Sequence, residues 1–115
     1  MKSKMKYGNK KTVSSGVWFD SKKEAKQYEK LKVLELIGEI SDLQTQVKFS
    51  LIPSQYEGMG KGRKCIEREC SYIADFVFYR NGHLVVQDVK GFKTPEYRIK
   101  KKLMLSIQGI KIEEI

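Results

Sequence analysis

The spacing of apolar residues changes along this chain from a helical period to a strand period and back. Ala25, Tyr28, Leu31 and Leu34 fall on one broad arc at ~100° per residue, which predicts an amphipathic helix. It opens at Asp20 or Ser21, where Ser21 and Glu24 fit a capping box, and runs to about Ile37, stopped by Gly38. Glu24 lies inside the apolar arc, so its carboxylate either folds back to cap the helix or points into the layer beneath. Spacing alone favours the cap. Residues 43–53, with Val47, Phe49, Leu51 and Ile52, read as a strand. Residues 66–79 form a longer one, with Tyr72, Ala74, Phe76 and Phe78 on one face and Ile73, Val77 and Tyr79 on the other. A strand apolar on both faces belongs in the middle of a sheet. Asp75 interrupts that buried row, and a carboxylate there is costly without a partner.

Asn81-Gly82 is a strong hairpin signal, because a type I′ turn needs positive φ at both central positions. It separates the run 71–80 from the run 83–89. If Arg80 pairs with His83, then Phe78 faces Val85, Phe76 faces Gln87 and Asp75 faces Asp88. Directly opposed like charges lie ~5 Å apart and destabilise a sheet unless a proton or a cation sits between them. Side-chain direction has period two, so Lys90 should share the face of Asp88. A three-residue turn would shift the register by one and place Asp75 opposite Val89 instead.

Beyond Gly91, Thr94-Pro95-Glu96 marks a second helix start: threonine caps, proline suits the first position and glutamate the positive dipole end. Ile99, Leu103 and Ile107 mark its expected core side, and Gly109 its stop. Ile110, Lys111 and Ile112 should return as a short strand parallel to the run before Lys90. The predicted order is helix, three antiparallel strands, helix, strand: an α/β fold with a mixed central sheet flanked by helices. No internal repeat is visible.

The chain has 115 residues, enough for one domain, which is expected over residues 14–115 after a basic flexible arm at 1–13. A net charge of +9 favours a polyanionic partner, although solubility alone is a competing account. The charge is clustered. Lys10 and Lys11 sit in the arm; Lys61, Arg63 and Lys64 in a glycine-rich stretch at 56–64; Lys93, Arg98 and Lys101 just after the candidate site. These eight are the candidate phosphate contacts. The glycine-rich stretch lacks the G-x-x-x-x-G-K-[ST] pattern of a nucleotide-binding loop and reads as a flexible connection between antiparallel strands. Cys65, Cys70 and the single His83 are too few for a structural zinc site, so free thiols and a turn histidine are expected. With no apolar run of ~18–20 residues and no signal-like N-terminus, a cytoplasmic protein without membrane association is expected.

Two opposed aspartates can hold a divalent cation through hard oxygen ligands. Mg²⁺ suits such sparse ligation, with Mn²⁺ as a substitute. The backbone carbonyl of Val89 is a further candidate ligand, and Glu24 completes the shell if its helix packs across the strands. A metal there would polarise a phosphate and acidify water, with Lys90 orienting that water or offsetting developing charge. The plainer account of Asp88 and Lys90 is a structural ion pair.

These residues carry a resemblance. Phe19-Asp20-Ser21 with Glu24, then Tyr72-Ile73-Ala74-Asp75-Phe76, then Asp88-Val89-Lys90-Gly91 resemble the PD-(D/E)xK nuclease superfamily, most closely its small phage and prophage nuclease-like members. The resemblance covers Phe19 to the C-terminus, with Ala74 where the superfamily name has proline. It implies a restriction-endonuclease-like core and a Mg²⁺-dependent DNA endonuclease acting on phosphodiester bonds, and leaves the DNA structure open; so short a chain has little room for a sequence-reading domain, which points to branched or otherwise structured DNA. It also implies catalytic roles for Glu24, Asp75, Asp88 and Lys90, and turns Glu24 from a cap into a ligand. A homodimer or a larger nucleoprotein complex is compatible with it. The rival is a non-catalytic nucleic-acid-binding protein or accessory subunit on the same fold.

Overall fold

The computed structural model describes the backbone of residues 12–14 and the whole of residues 16–115. A short hairpin, β1 (Thr12–Ser14) and β2 (Val17–Phe19), leads into helix α1 (Lys22–Leu36). Thr12 and Val13, the last two residues of the expected arm, lie in β1, and residues 1–11 of that arm fall outside the described residues. Gly16 at φ +79° provides the chain reversal that lets so short a ribbon close. Ser21 caps α1 by accepting from the Glu24 amide at 3.1 Å. The helix ends in a Schellman arrangement: Gly38 N–H donates to Glu35 O and Glu39 N–H to Leu34 O, with Gly38 at φ +85°.

The body is a mixed four-stranded sheet of β3 (Ser41–Ile52), β6 (Cys70–Arg80), β7 (His83–Asp88) and β8 (Glu113–Glu114), hydrogen-bonded in that order. The predicted strand 66–79 divides at residues 68–69. Its first part joins β4 (Gln55–Glu57) as β5 (Lys64–Glu67), a separate two-stranded ribbon. The hairpin register is as expected, Arg80 against His83 through Phe76 against Gln87, with Asn81 and Gly82 both at positive φ. The expected final strand is displaced: Glu113 and Glu114, rather than residues 110–112, run parallel to Gln87 and Asp88. Ile112 is instead buried in the core.

Helix α2 (Pro95–Leu103) is capped by Thr94 and continues into a π-helical turn, Met104–Gln108, before Gly109 at φ +70°. Its buried side is Tyr97 and Met104, with Leu103 partly buried, whereas Ile99 and Ile107 are exposed. The expected face is therefore corrected. Tyr97 packs against Tyr72, and that contact sets the rotation of the helix.

Two cores lie on opposite faces of the sheet. Phe19, Ala25, Tyr28, Leu31, Ile40, Phe76, Phe78 and Val85 pack under α1. Leu51, Tyr72, Ala74, Val77, Val86, Tyr97, Met104 and Ile112 pack under α2. Truncating either fully buried phenylalanine to alanine should cost about 3–5 kcal/mol. The partition also shows a break in the pleat. Tyr72, Ala74, Phe76 and Phe78 would share one face of a regular strand, yet the first two join the α2 core and the last two the α1 core. The sides exchange at Asp75. On β3 the same exchange falls between Leu43 on the α1 side and Val47 on the α2 side. Gln46, at φ +53°, sits there opposite Asp75, bracketed by the pairs Thr45–Phe76 and Val47–Ala74.

Candidate functional site

The break in the pleat is where the sequence-predicted side chains gather. Asp75 lies one step beyond the last paired residues of the β6–β7 ladder, and its Oδ2 accepts from the Val89 amide at 2.8 Å. Its Oδ1 accepts from the Gln46 amide nitrogen at 3.3 Å. The same nitrogen donates to Glu24 Oε2 at 3.2 Å, so one amide bridges two carboxylates. Glu24 is 6 % exposed. Its backbone takes the Ser21 cap, while its side chain is turned to the sheet. The preference for a cap that spacing alone suggested is thus corrected: half a capping box forms, and the apolar arc carries the carboxylate inward.

Asp88 is the most deeply buried acid, at 2 % exposure. The Tyr72 hydroxyl donates to its Oδ2. The Lys90 ammonium lies 3.2 Å from Oδ1, but without the alignment of a hydrogen bond, so that oxygen is buried with no hydrogen-bond partner. Lys90 also rests 4.3 Å from the centroid of the Tyr97 ring. The three residues expected on one face are therefore divided. Asp75 turns to the α1 side with Glu24 and Gln46, while Asp88 and Lys90 keep company with Tyr72 and Tyr97 on the α2 side. The reason is the exchange of sides at Asp75, which strict alternation does not anticipate.

Electrostatics still joins the two halves. Burial, followed by the Asp75 charge, pushes the Glu24 carboxyl up to about 8. Asp75 is pushed up to about 6 by burial and then by Asp88, against the opposing pull of Val89, Gln46 and Lys90. Burial and the bond to Asp88 hold the Tyr72 phenol above its ordinary value, so it remains a donor. Among the described residues, no three Asp, Glu, His or Cys side chains converge tightly enough to form a ready metal cage. A cation shared by Glu24 and Asp75 would compete with the Gln46 amide for their oxygens.

The basic candidates are distributed. Lys93, Arg98 and Lys101 line an open depression with Lys102 and Leu105. Two of them already have a carboxylate: Glu114 meets Lys93 at 2.8 Å and Lys101 at 3.1 Å, and accepts from the Tyr97 hydroxyl at 2.7 Å. Lys61, Arg63 and Lys64 lie on the separate β4–β5 ribbon. Lys10 and Lys11 fall outside the described residues. Both cysteines are free, and His83 opens β7.

Sequence reasoning missed Gln27, Gln46, Tyr72, Tyr97, Gln87, Glu113 and Glu114 as polar components of this region. Gln27 could have been found as a second polar residue in the apolar arc, three positions after Glu24. It is buried and donates to Gln87, which in turn donates to Glu113. Gln46 had no such signal, because no short turn fixes the β3–β6 register.

A family model described as "Protein of unknown function (DUF1064)" matches residues 4–112. The chain belongs to that family. The match takes in every element that builds the DUF1064 site except the last strand, β8. No curated protein and no solved structure matches the chain. No helix among the described residues is long and apolar enough to cross a membrane.

Proposed function

We propose that this chain is a Mg²⁺-dependent DNA endonuclease of the phage type, related to the PD-(D/E)xK nucleases, with its mixed sheet corresponding to their restriction-endonuclease-like core. One observation carries the reading. Asp88 buries a carboxylate oxygen with no hydrogen bond beside a lysine, which a merely structural ion pair has no reason to do. The Asp88 charge reaches Asp75 and, more weakly, Glu24 across the sheet, both with raised proton affinity, and a hard divalent cation would offset that repulsion.

Glu24, Asp75 and Asp88, with the Val89 carbonyl, would hold the ion, the remaining positions falling to water and phosphate oxygens. When bound, Mg²⁺ supplies Lewis acidity toward the phosphate and acidifies water. Tyr72 keeps the Asp88 carboxylate in place, and the Tyr97 ring and Asp88 together hold the Lys90 ammonium. That ammonium would be available to offset negative charge developing on a bound phosphate. The Gln46 amide must turn or withdraw for Glu24 and Asp75 to face one ion.

Incubation with linear, nicked, flapped and four-way DNA, with and without Mg²⁺, tests the proposal. The expected result is metal-dependent cleavage, strongest on a branched substrate and lost in Asp88→Asn. A second reading, a non-catalytic nucleic-acid-binding protein or accessory subunit, is favoured by the Gln46 amide between Glu24 and Asp75. DNA binding without cleavage of any of the four substrates would select it.

A further inference from the structure

The β4–β5 ribbon contributes nothing to either core. Every residue from 55 to 69 is exposed, and its two strands pair only with each other. A two-stranded ribbon is marginal in water, and one that buries no side chains needs another reason to be ordered. Its tip is nonetheless specific. Gly62 N–H donates to Met59 O at 3.0 Å and Arg63 N–H to Gly60 O at 3.2 Å, closing a 3₁₀ turn. Gly58, at φ +92°, has the Gly62 carbonyl oxygen only 2.6 Å from where a Cβ would stand, so no other residue fits that conformation. Two kinds of side chain project from this rigid end. Residues 58–64 carry Lys61, Arg63 and Lys64 and no acid. Met59, at the apex, is 89 % exposed. The Arg63 guanidinium stacks on the Tyr56 ring at 4.3 Å, which stiffens the shaft and holds its charge to one side.

We propose that this ribbon is a DNA-groove arm: Lys61, Arg63 and Lys64 take the phosphates bordering a duplex groove, and Met59 presses against the base steps between them. The identity of the partner rests on the DNA reading above; the arm itself is independent of any cleavage chemistry. Two-stranded ribbons dock in duplex grooves, and an apolar wedge flanked by cations is how minor-groove bending proteins unstack base steps. A membrane surface would call for a broader continuous apolar face than Met59, Ile66 and the Arg63-stacked Tyr56 offer among Lys61, Lys64 and Glu67. A protein partner would call for an aromatic anchor free to enter a pocket, and here the half-exposed Tyr56 carries the Arg63 guanidinium on one face.

Binding is measured by fluorescence anisotropy in chelator, so that no cleavage can occur, on an unbranched duplex carrying 2-aminopurine. The wild-type chain should show salt-dependent binding and a rise in 2-aminopurine emission as steps unstack. The triple variant Lys61→Ala, Arg63→Ala, Lys64→Ala should flatten log K against log salt by about 2.7. Met59→Ala should keep the slope and lose the emission rise. A shortened ribbon closed by an Asn-Gly turn should melt like wild type and match the triple variant. Wild-type slope and affinity in the triple and shortened variants would overturn the arm while leaving the DNA reading standing. Absence of any duplex binding by the wild-type chain would overturn both. Tighter binding to phosphatidylserine vesicles than to duplex would assign the ribbon to a membrane surface and overturn the arm.

Discussion

Glu24 and Glu114 border the same region from opposite sides of the sheet, and their surroundings drive them in opposite directions. Glu114 is met by Lys93, Lys101 and the Tyr97 hydroxyl, with the Lys93 and Tyr97 hydrogen bonds the leading causes, and its carboxyl falls to about 2. Glu24 is buried beside Asp75, is reached by one neutral amide, and rises to about 8. The cluster around Glu114 is a compensated network that the protein completes by itself. The α1 side is left short of positive charge. Burying acids without cations costs stability, so a fold that does so calls for a ligand to repay the difference.

The largest effects should come from removing the buried carboxylates whose demand for positive charge is unmet, Asp75 and Asp88. If the proposed nuclease reading holds, Asp75→Asn or Asp88→Asn should lower cleavage by about a thousand-fold or more, because each removes a charge proposed to hold the ion. Asp75→Asn should also stabilise the metal-free protein, since it removes the charge that raises Glu24. Calorimetric titration with Mn²⁺ checks the shared site: unchanged affinity in both variants would dissolve it. Lys90→Ala should lower single-turnover cleavage by about a hundred- to a thousand-fold and duplex affinity only slightly. A near-normal rate at saturating DNA would return Lys90 to the status of an ion-pair partner.

Proton linkage gives the next largest effect. Glu24 and Asp75 bind protons more tightly in the folded chain than in the unfolded one, so the folded state is favoured at low pH. Their contribution is fully present below about pH 4, the ordinary carboxylate range, and is lost as pH rises through about 6 and then about 8. Denaturant unfolding without metal should therefore show stability falling by a few kcal/mol over that window, flattened in Glu24→Gln. Mg²⁺ should restore stability most at the alkaline end, where the carboxylates are free to bind it. A metal effect that is equal at pH 5 and pH 8 would contradict the deficient-site account.

How much of this was legible in the sequence depends on how local each cause is. The Asn81-Gly82 turn is encoded in two adjacent residues, so the β6–β7 register followed directly, and so did the approach of Asp75 to residues 88–90. Ser21, Gly38, Thr94 and Gly109 marked helix ends for the same reason. The exchange of sides at Asp75 was not legible. It depends on Gln46 adopting positive φ on a strand paired from a distance, and no local residue type announces that. Nor was the rotation of α2, which a Tyr97–Tyr72 contact across the core decides. The ribbon was seen only as a glycine-rich stretch, because its pairing has no apolar alternation to betray it.

Gln46 offers a smaller and sharper test of the comparison. Its amide serves as the neutral stand-in for positive charge on the α1 side. Gln46→Ala should raise the Asp75 proton affinity further, because it removes a hydrogen bond that lowers it. The same change should tighten Mn²⁺ binding several-fold at alkaline pH by freeing the Glu24 and Asp75 oxygens that the amide engages. Gln46→Gly should do likewise and also gain about 1 kcal/mol in metal-free stability relative to Gln46→Ala, because glycine adopts φ +53° without strain. Weaker Mn²⁺ binding in both variants would make Gln46 a ligand through its carbonyl oxygen instead of an obstacle.

The smallest effect should separate the two jobs of Tyr97 on the compensated side. Its ring lies under the Lys90 ammonium, and its hydroxyl donates to Glu114. Tyr97→Phe keeps the ring and loses the hydroxyl, so it should cost about 1–2 kcal/mol of stability through one hydrogen bond to a charged group. Cleavage should stay within a few-fold of wild type, since Lys90 keeps its seat. Tyr97→Leu removes the ring as well and should lower the single-turnover rate about ten-fold beyond Tyr97→Phe, because an ammonium without its aromatic support samples more positions. Duplex affinity measured beside that rate distinguishes positioning from packing. If Lys90 is held by the ring, Tyr97→Leu should lower the rate at saturating DNA while affinity stays near wild type, and Tyr97→Phe should lower neither. Losses of rate that simply follow the losses of stability in both variants would reduce Tyr97 to a core residue and leave Asp88 alone to hold Lys90.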